Sequence, residues 1–272
     1  MLFRSSGFWG DSSLGAPQLV NSGLIDVLVF DFLAETTMAI LVGAQRKNPA
    51  AGYATDFVDT AMKQVLAEVV QRGIRVVANA GGVNPQGCAD ALAALAAEQG
   101  VAVKIAVVDG DDLRTQLPAL RATSGVTDMF SGEPLPEKLL SANAYLGALP
   151  VACALADGAE VVITGRCVDS AVTLGPLIHH FGWGMDEFDK LAGASLAGHI
   201  IECGCQATGG LFTDWHLVPD WAHIGYPIVE CEADGSFTVS KAPGTGGLIT
   251  PATVGEQMLY EIGDPGAYLL PD

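Results

Sequence analysis

The residues best suited to chemistry lie in short polar stretches, each just after an apolar run rich in Val and Ile. In TGRCVDSA, Arg166 and Asp169 stand three apart, with Gly165 before them and Ser170 placed to cap the helix that should follow. A guanidinium can hold a carboxylate or phosphate through two parallel hydrogen bonds, and an aspartate beside it can orient it or take a proton. The same spacing equally suits an internal ion pair that holds the loop together. In ECGCQATGG, Glu202 and Gln206 stand where apolar sequence gives way to glycine. Lost hydration would raise the pKa of such a glutamate and fit it for general acid or base work. Arg166, Asp169 and Glu202 are the candidate catalytic residues.

Two glycine-bearing loops could bind rather than react. SSGFWGD contributes Ser6, Gly7 and Asp11, and NAGGVNP contributes Asn79, Gly81, Gly82 and Asn84. Glycines between a strand and a helix let backbone N–H groups approach an anion, although a tight turn asks for the same residues. Asn79 and Asn84 suit either the orientation of a substrate carbonyl or the turn itself. Neither loop matches the dinucleotide or P-loop pattern. Glu35, in AET after the second apolar run, joins the candidate binding residues, as do Gly165, Ser170 and Gln206. Asp109, Asp111 and Asp112 form DGDD, which suits a magnesium or calcium ion or, alternatively, acids complementing a helix N-terminus. A divalent cation is thus the one cofactor the sequence admits. Cys203 and Cys205 are too close together for the usual zinc pairing, and no Cys/His pair follows them. A nucleophilic cysteine would need His199, His216 or His223 as its base, while His179 and His180 read as helix-end residues.

These stretches need elements to carry them. Val/Ile-rich runs predict strands at Asp26–Leu33, Ile74–Ala80, Val101–Val108 and Glu160–Thr164, with a stub before Ser5. Alanine- and leucine-rich segments of helical period predict helices at Thr36–Arg46, Asp56–Arg72, Pro85–Gln99 and Ala142–Ala156, with Gly73, Gly100 and Gly158 as stops. Alternating strands and helices imply an α/β fold: a doubly wound, mainly parallel sheet with helices on both faces. Ligands then bind beyond the carboxyl ends of the strands, where the polar stretches would share one rim. After Phe181 the texture changes, with a helix at Met185–Leu196, a hairpin turning at Asp234–Gly235 and a helix at Pro251–Ile262 capped by Thr250. Residues 1–182 read as the parallel core and residues 183–272 as a smaller mixed or antiparallel region packed on it.

Composition narrows the function. The 272 residues are 50% hydrophobic and 16% charged, which excludes a disordered chain and points to packed or subunit-facing surface. Thirty-one acids against thirteen bases give a net charge of −18, and only Lys190 and Lys241 carry positive charge after Arg166. Nucleic acid and anionic membranes would be repelled. The six cysteines read as reduced thiols, and no leader or membrane-length apolar run is evident, so a cytoplasmic location is expected.

SGFWGD, DFLAETTMA followed by RKNPAAGY, RVVANAGGVNP, the ANAYLGALP to GRCVDSAVTLGPL stretch and PATVGEQMLYEIGDPGAYLLPD together resemble the acyclic terpene utilisation AtuA family across nearly the whole chain. The resemblance implies a place in the breakdown of citronellol- and geraniol-type compounds through acyl-CoA intermediates. It also implies that members continue beyond the position of Asp272, so a second copy or another subunit is expected to complete the assembly. The expected activity is a lyase, hydratase or hydrolase acting on a small carboxylate or acyl-CoA. A non-catalytic or half-site subunit of the same pathway is the alternative.

Overall fold

The computed structural model describes residues 1–5, 13–123 and 125–272, with residues 2–5 described as backbone alone. Five parallel strands, β1 (Leu2–Ser5), β2 (Val27–Phe30), β3 (Arg75–Ala78), β4 (Ile105–Val108) and β5 (Val161–Thr164), join an antiparallel hairpin, β6 (Pro227–Cys231) and β7 (Phe237–Lys241), in one sheet. Its order is β4-β5-β3-β2-β1-β6-β7. The expected α/β class holds, with the antiparallel part attached through β1.

Side chains alternate between the two faces of a strand, and here both faces are apolar because both are covered. Leu28, Phe30, Val76, Ala78, Val161 and Ile163 face α1 (Gly15–Asn21), α2 (Glu35–Lys47), α3 (Lys63–Arg72) and α4 (Pro85–Gln99). Val27, Val29, Val77 and Val162 face the other way. They pack against α6 (Leu149–Ala156), α7 (Ala171–Phe181) and α8 (Phe188–Ile201). A short helix, α5 (Leu117–Ala122), lies between β4 and α6, and α9 (Pro251–Glu261) packs on α8.

Local chemistry places the boundaries. Gly73, Gly100 and Gly182 end α3, α4 and α7 in the left-handed conformation, which costs least without a Cβ. Thr250 and Thr253 form a capping box ahead of α9, with Pro251 at the first turn. Two expected helices shift. The one foreseen at Ala142–Ala156 starts only at Leu149, because residues 142–148 spend their backbone groups on neighbouring loops. Ala144 N donates to Asp111 O at 2.7 Å, and Leu146 N to Arg166 O at 3.3 Å. The one foreseen at Met185–Leu196 starts at Phe188 and runs to Ile201, which puts His199 and Glu202 a turn apart on one face.

The third and fifth strands approach closely at their carboxyl ends. A Cβ on Gly81 would stand 2.5 Å from Thr164 O, and the Gly81 N–H already donates to that oxygen at 3.0 Å. Backbone cannot yield as a flexible side chain can. Gly81→Ala is therefore expected to lose about 1–3 kcal/mol of unfolding free energy in urea titration, while Gly255→Ala, facing open space in α9, is expected to lose none.

Candidate functional site

Two strand ends, one extended segment and the ends of two later helices meet at one cavity of about 750 Å³. Asp31, Leu33, Ala34 and Glu35 follow β2, and Arg166 and Asp169 follow β5. Tyr145 comes from the extended 142–148 segment, Glu202, Cys203, Cys205 and Gln206 from the end of α8 and beyond, and Tyr260 and Glu261 from the end of α9.

Arg166 is the hub. Its side chain is 4% exposed, and its Nη1 donates to Leu33 O and, at 2.9 Å, to Asp169 Oδ1. Nη2 lies 3.3 Å from Glu35 Oε1, and the guanidinium sits 4.2 Å from the centre of the Tyr145 ring, whose hydroxyl donates to the same glutamate. The Arg166 backbone N–H donates to Asp111 Oδ2 at 3.0 Å, and Asn143 Nδ2 donates to that oxygen at 2.7 Å. Burial works against the guanidinium charge, but Asp169 and Tyr145 outweigh it and keep the group ionised. The expected internal pair of Arg166 and Asp169 is thus present, and it opens onto a cavity.

The cavity is acidic. Asp31, Glu35, Asp169, Glu202 and Glu261 line it with Arg166 as the one basic residue among them. Tyr145 and then Arg166 hold the Glu35 carboxyl below the usual range. Lost hydration pushes the other acids up: Asp31 to about 8, with Asp169 adding repulsion, and Glu202 well above its ordinary value. Asp169 is also raised by burial, against the pull of Arg166. Carboxylate oxygens of Asp31, Asp169 and Glu202 lie within 4.8 Å of one another, too close for all three to ionise without a cation. Asp169 is bonded directly to Arg166 and is the member best able to stay ionised. Asp31 is held toward its protonated form by burial and by Asp169, against the hydrogen bond its Oδ1 accepts from Asn79 Nδ2.

The remaining candidates take other places. Asn79 is fully buried and positions Asp31, its own Oδ1 accepting from Phe32 N at 2.6 Å. Asn84 caps α4 by accepting from Gly87 N at 3.1 Å. The Gly165 N–H donates to Val108 O at 3.2 Å, and a Cβ on Gly165 would strike the Asp111 carboxylate. With Gly81 committed to Thr164 O, these amides serve the protein's own backbone. Ser170 is buried at the start of α7 and makes no capping hydrogen bond there. Gly82, Asn84, Asp109, Asp111 and Asp112 line a separate cavity of about 320 Å³, where Arg114 binds Asp112 at 2.6 Å. Ser6, Gly7 and Asp11 lie outside the described residues. Asp31, Tyr145 and Glu261 escaped the sequence reading because each lies in a segment read as a regular element. An acid closing the apolar run VLVF was the available signal.

A family model described as acyclic terpene utilisation family protein AtuA matches residues 2–272. No curated protein and no solved structure matches the chain.

The raised pKa of Asp31 predicts a pH dependence. The folded state keeps a proton that the unfolded chain releases near 3.8, so this contribution to stability is complete at low pH and is lost as pH rises to about 8. Asp31→Asn keeps the acceptor for Asn79 and removes the titration. Unfolding free energy measured from pH 4 to 8 should fall less steeply in the variant, by up to about 1.4 kcal/mol per pH unit. Equal slopes in the two proteins would contradict the assignment.

Proposed function

Because the chain belongs to the acyclic terpene utilisation AtuA family, whose role lies in acyclic terpene utilisation, we propose that it is a hydratase or lyase that adds or removes water on the acyl chain of a branched acyl-CoA thioester. The observation that carries this reading is the pairing of Asp31 with the arginine-bound Asp169 on one cavity wall. In the hydration direction, the Asp169 carboxylate takes a proton from water as its oxygen bonds to one alkene carbon. The Asp31 carboxyl gives its proton to the other carbon, and the pair is restored by proton exchange with solvent. Enzymes commonly gain about 10²–10⁴-fold from such positioned proton transfer.

Two features favour this over the other reactions considered. A hydrolase using Cys203 would need a thiolate, whereas burial and then Glu202 hold the thiol protonated. A free carboxylate placed in the cavity would face five acids and an arginine already bonded to two of them. The reacting part of the substrate is therefore uncharged, and a thioester meets that requirement. Arg166 acts as the positioning residue that keeps Asp169 ionised.

A second reading, a subunit of a larger assembly, is favoured by the exposed Met258, Leu259 and Tyr260 at the end of α9 and by exposed Trp215 and Leu217. Tyr260 lines the cavity, so a partner covering this face would also reach the site. Mass measurement in solution tests it: a stable monomer at all concentrations contradicts it.

Branched 2-enoyl- and 3-hydroxyacyl-CoA thioesters, with the matching free acids, should be incubated with the chain in ¹⁸O-labelled water. Label should enter the thioester products alone, and Asp31→Asn or Asp169→Asn should each lower kcat by about 10²-fold or more. Full turnover in both variants, or reaction of the free acids only, would overturn the proposal.

A further inference from the structure

Behind the Asp31 and Asp169 wall, one end of the cavity is built differently. His199 stands one turn before Glu202 at the end of α8, and its Nδ1 lies 3.1 Å from Glu202 Oε2. Glu261, the last residue of α9, joins them, with Cys203 Sγ donating to its Oε1 at 3.0 Å. One donor atom each from His199, Glu202 and Glu261 falls within 4.8 Å of the others.

We propose that His199, Glu202 and Glu261 form a binding site for one divalent transition ion, zinc or manganese, with its open coordination positions facing the cavity.

The mixture of donors supports this. One imidazole nitrogen and two carboxylates are a familiar set for zinc, manganese or ferrous iron, whereas magnesium and calcium prefer oxygen alone. The histidine is held as a ligand must be. Its Nε2 lies 3.2 Å from the Tyr268 hydroxyl, and in the tautomer whose Nε2–H donates there, Nδ1 turns its lone pair toward Glu202. Burial disfavours the imidazolium form, against the pull of Glu261, and metal binds the neutral ring.

A second observation comes from α9. Gln257 is fully buried; its Nε2 donates to His199 O at 3.0 Å and lies 3.4 Å from Glu261 Oε1. Its Oε1 is also buried and has no hydrogen-bond partner among the described residues. The amide thus touches two members of the cluster through its nitrogen and leaves a buried acceptor unused beside them. Glu202 and Glu261 line the cavity while His199 does not. An ion held here would therefore rest on the inner wall and meet a substrate carbonyl oxygen from the glutamate side.

The site is separate from the DGDD acids. Asp112 is engaged by Arg114, and Asp111 by Arg166 and Asn143.

Equilibrium dialysis of the full chain against zinc or manganese tests the proposal without reference to turnover, so failure here leaves the acid-base reading standing. One ion per chain is expected, with a rise in melting temperature. Glu261→Gln should weaken binding at least tenfold, and Tyr268→Phe, which removes only the hydroxyl behind the ring, by about 10–100-fold. Asp112→Asn should leave binding unchanged. Cobalt(II) titration of the unaltered chain gives a readout that needs no variant: visible absorption of a site with nitrogen and oxygen ligands is expected. No bound ion at millimolar metal, binding that survives Glu261→Gln, or binding lost in Asp112→Asn would each overturn it.

Discussion

The fold of this site depends on one buried cation. The Arg166 guanidinium joins the segment after β2, through Leu33 O and Glu35, to the segment after β5, through Asp169, and lies beneath the ring of Tyr145. Its backbone N–H draws in Asp111 from the end of β4. A buried guanidinium without partners would be very costly, and one with partners on several segments forces those segments into a single arrangement. The partners differ in exposure: the Glu35 side chain is 77% exposed and strongly screened, whereas Asp169 is largely enclosed. Asp169 is therefore the partner whose loss should matter most.

The second constraint is the excess of acid around this arginine. Burial and mutual repulsion raise Asp31, Asp169 and Glu202 together, so the cavity can hold its charge only by retaining protons or admitting a cation. Neither is a defect if the reaction moves protons. A carboxyl that remains neutral near neutral pH beside one kept ionised by arginine is a donor and an acceptor set a short distance apart.

Much of the framework was legible from period alone. Val27–Phe30 and Val161–Thr164 are buried on both faces, so their continuous apolar runs marked central parallel strands, and the glycine stops at Gly73 and Gly100 fell where the helices end. Arg166, Asp169, Glu35, Glu202 and Gln206 do reach one cavity from distant parts of the chain. What local pattern could not show was which polar groups would be consumed by tertiary contacts. Residues 142–148 have helical composition, yet their backbone bonds to the loops after β4 and β5, and this delivers Tyr145 to the arginine. Asp31 looked like part of a strand because a boundary two residues away decides whether an acid ends a strand or lines a pocket.

The glycine loops show how far the site relies on side chains. In a phosphate or oxyanion cradle the amides after a strand point at the ligand, unpaired until it arrives. Here Gly81 N and Gly165 N donate to Thr164 O and Val108 O, and Asn84 N to Gly81 O. The glycines after β3 and β5 let two backbones pass within hydrogen-bonding distance, and the space gained holds Asp111 and Arg166 in place. With those amides committed and the arginine already paired, the groups that face the cavity among the described residues are carboxyls, tyrosines, thiols and the Gln206 amide. Such a lining suits the transfer of protons to an uncharged guest better than the capture of an anion.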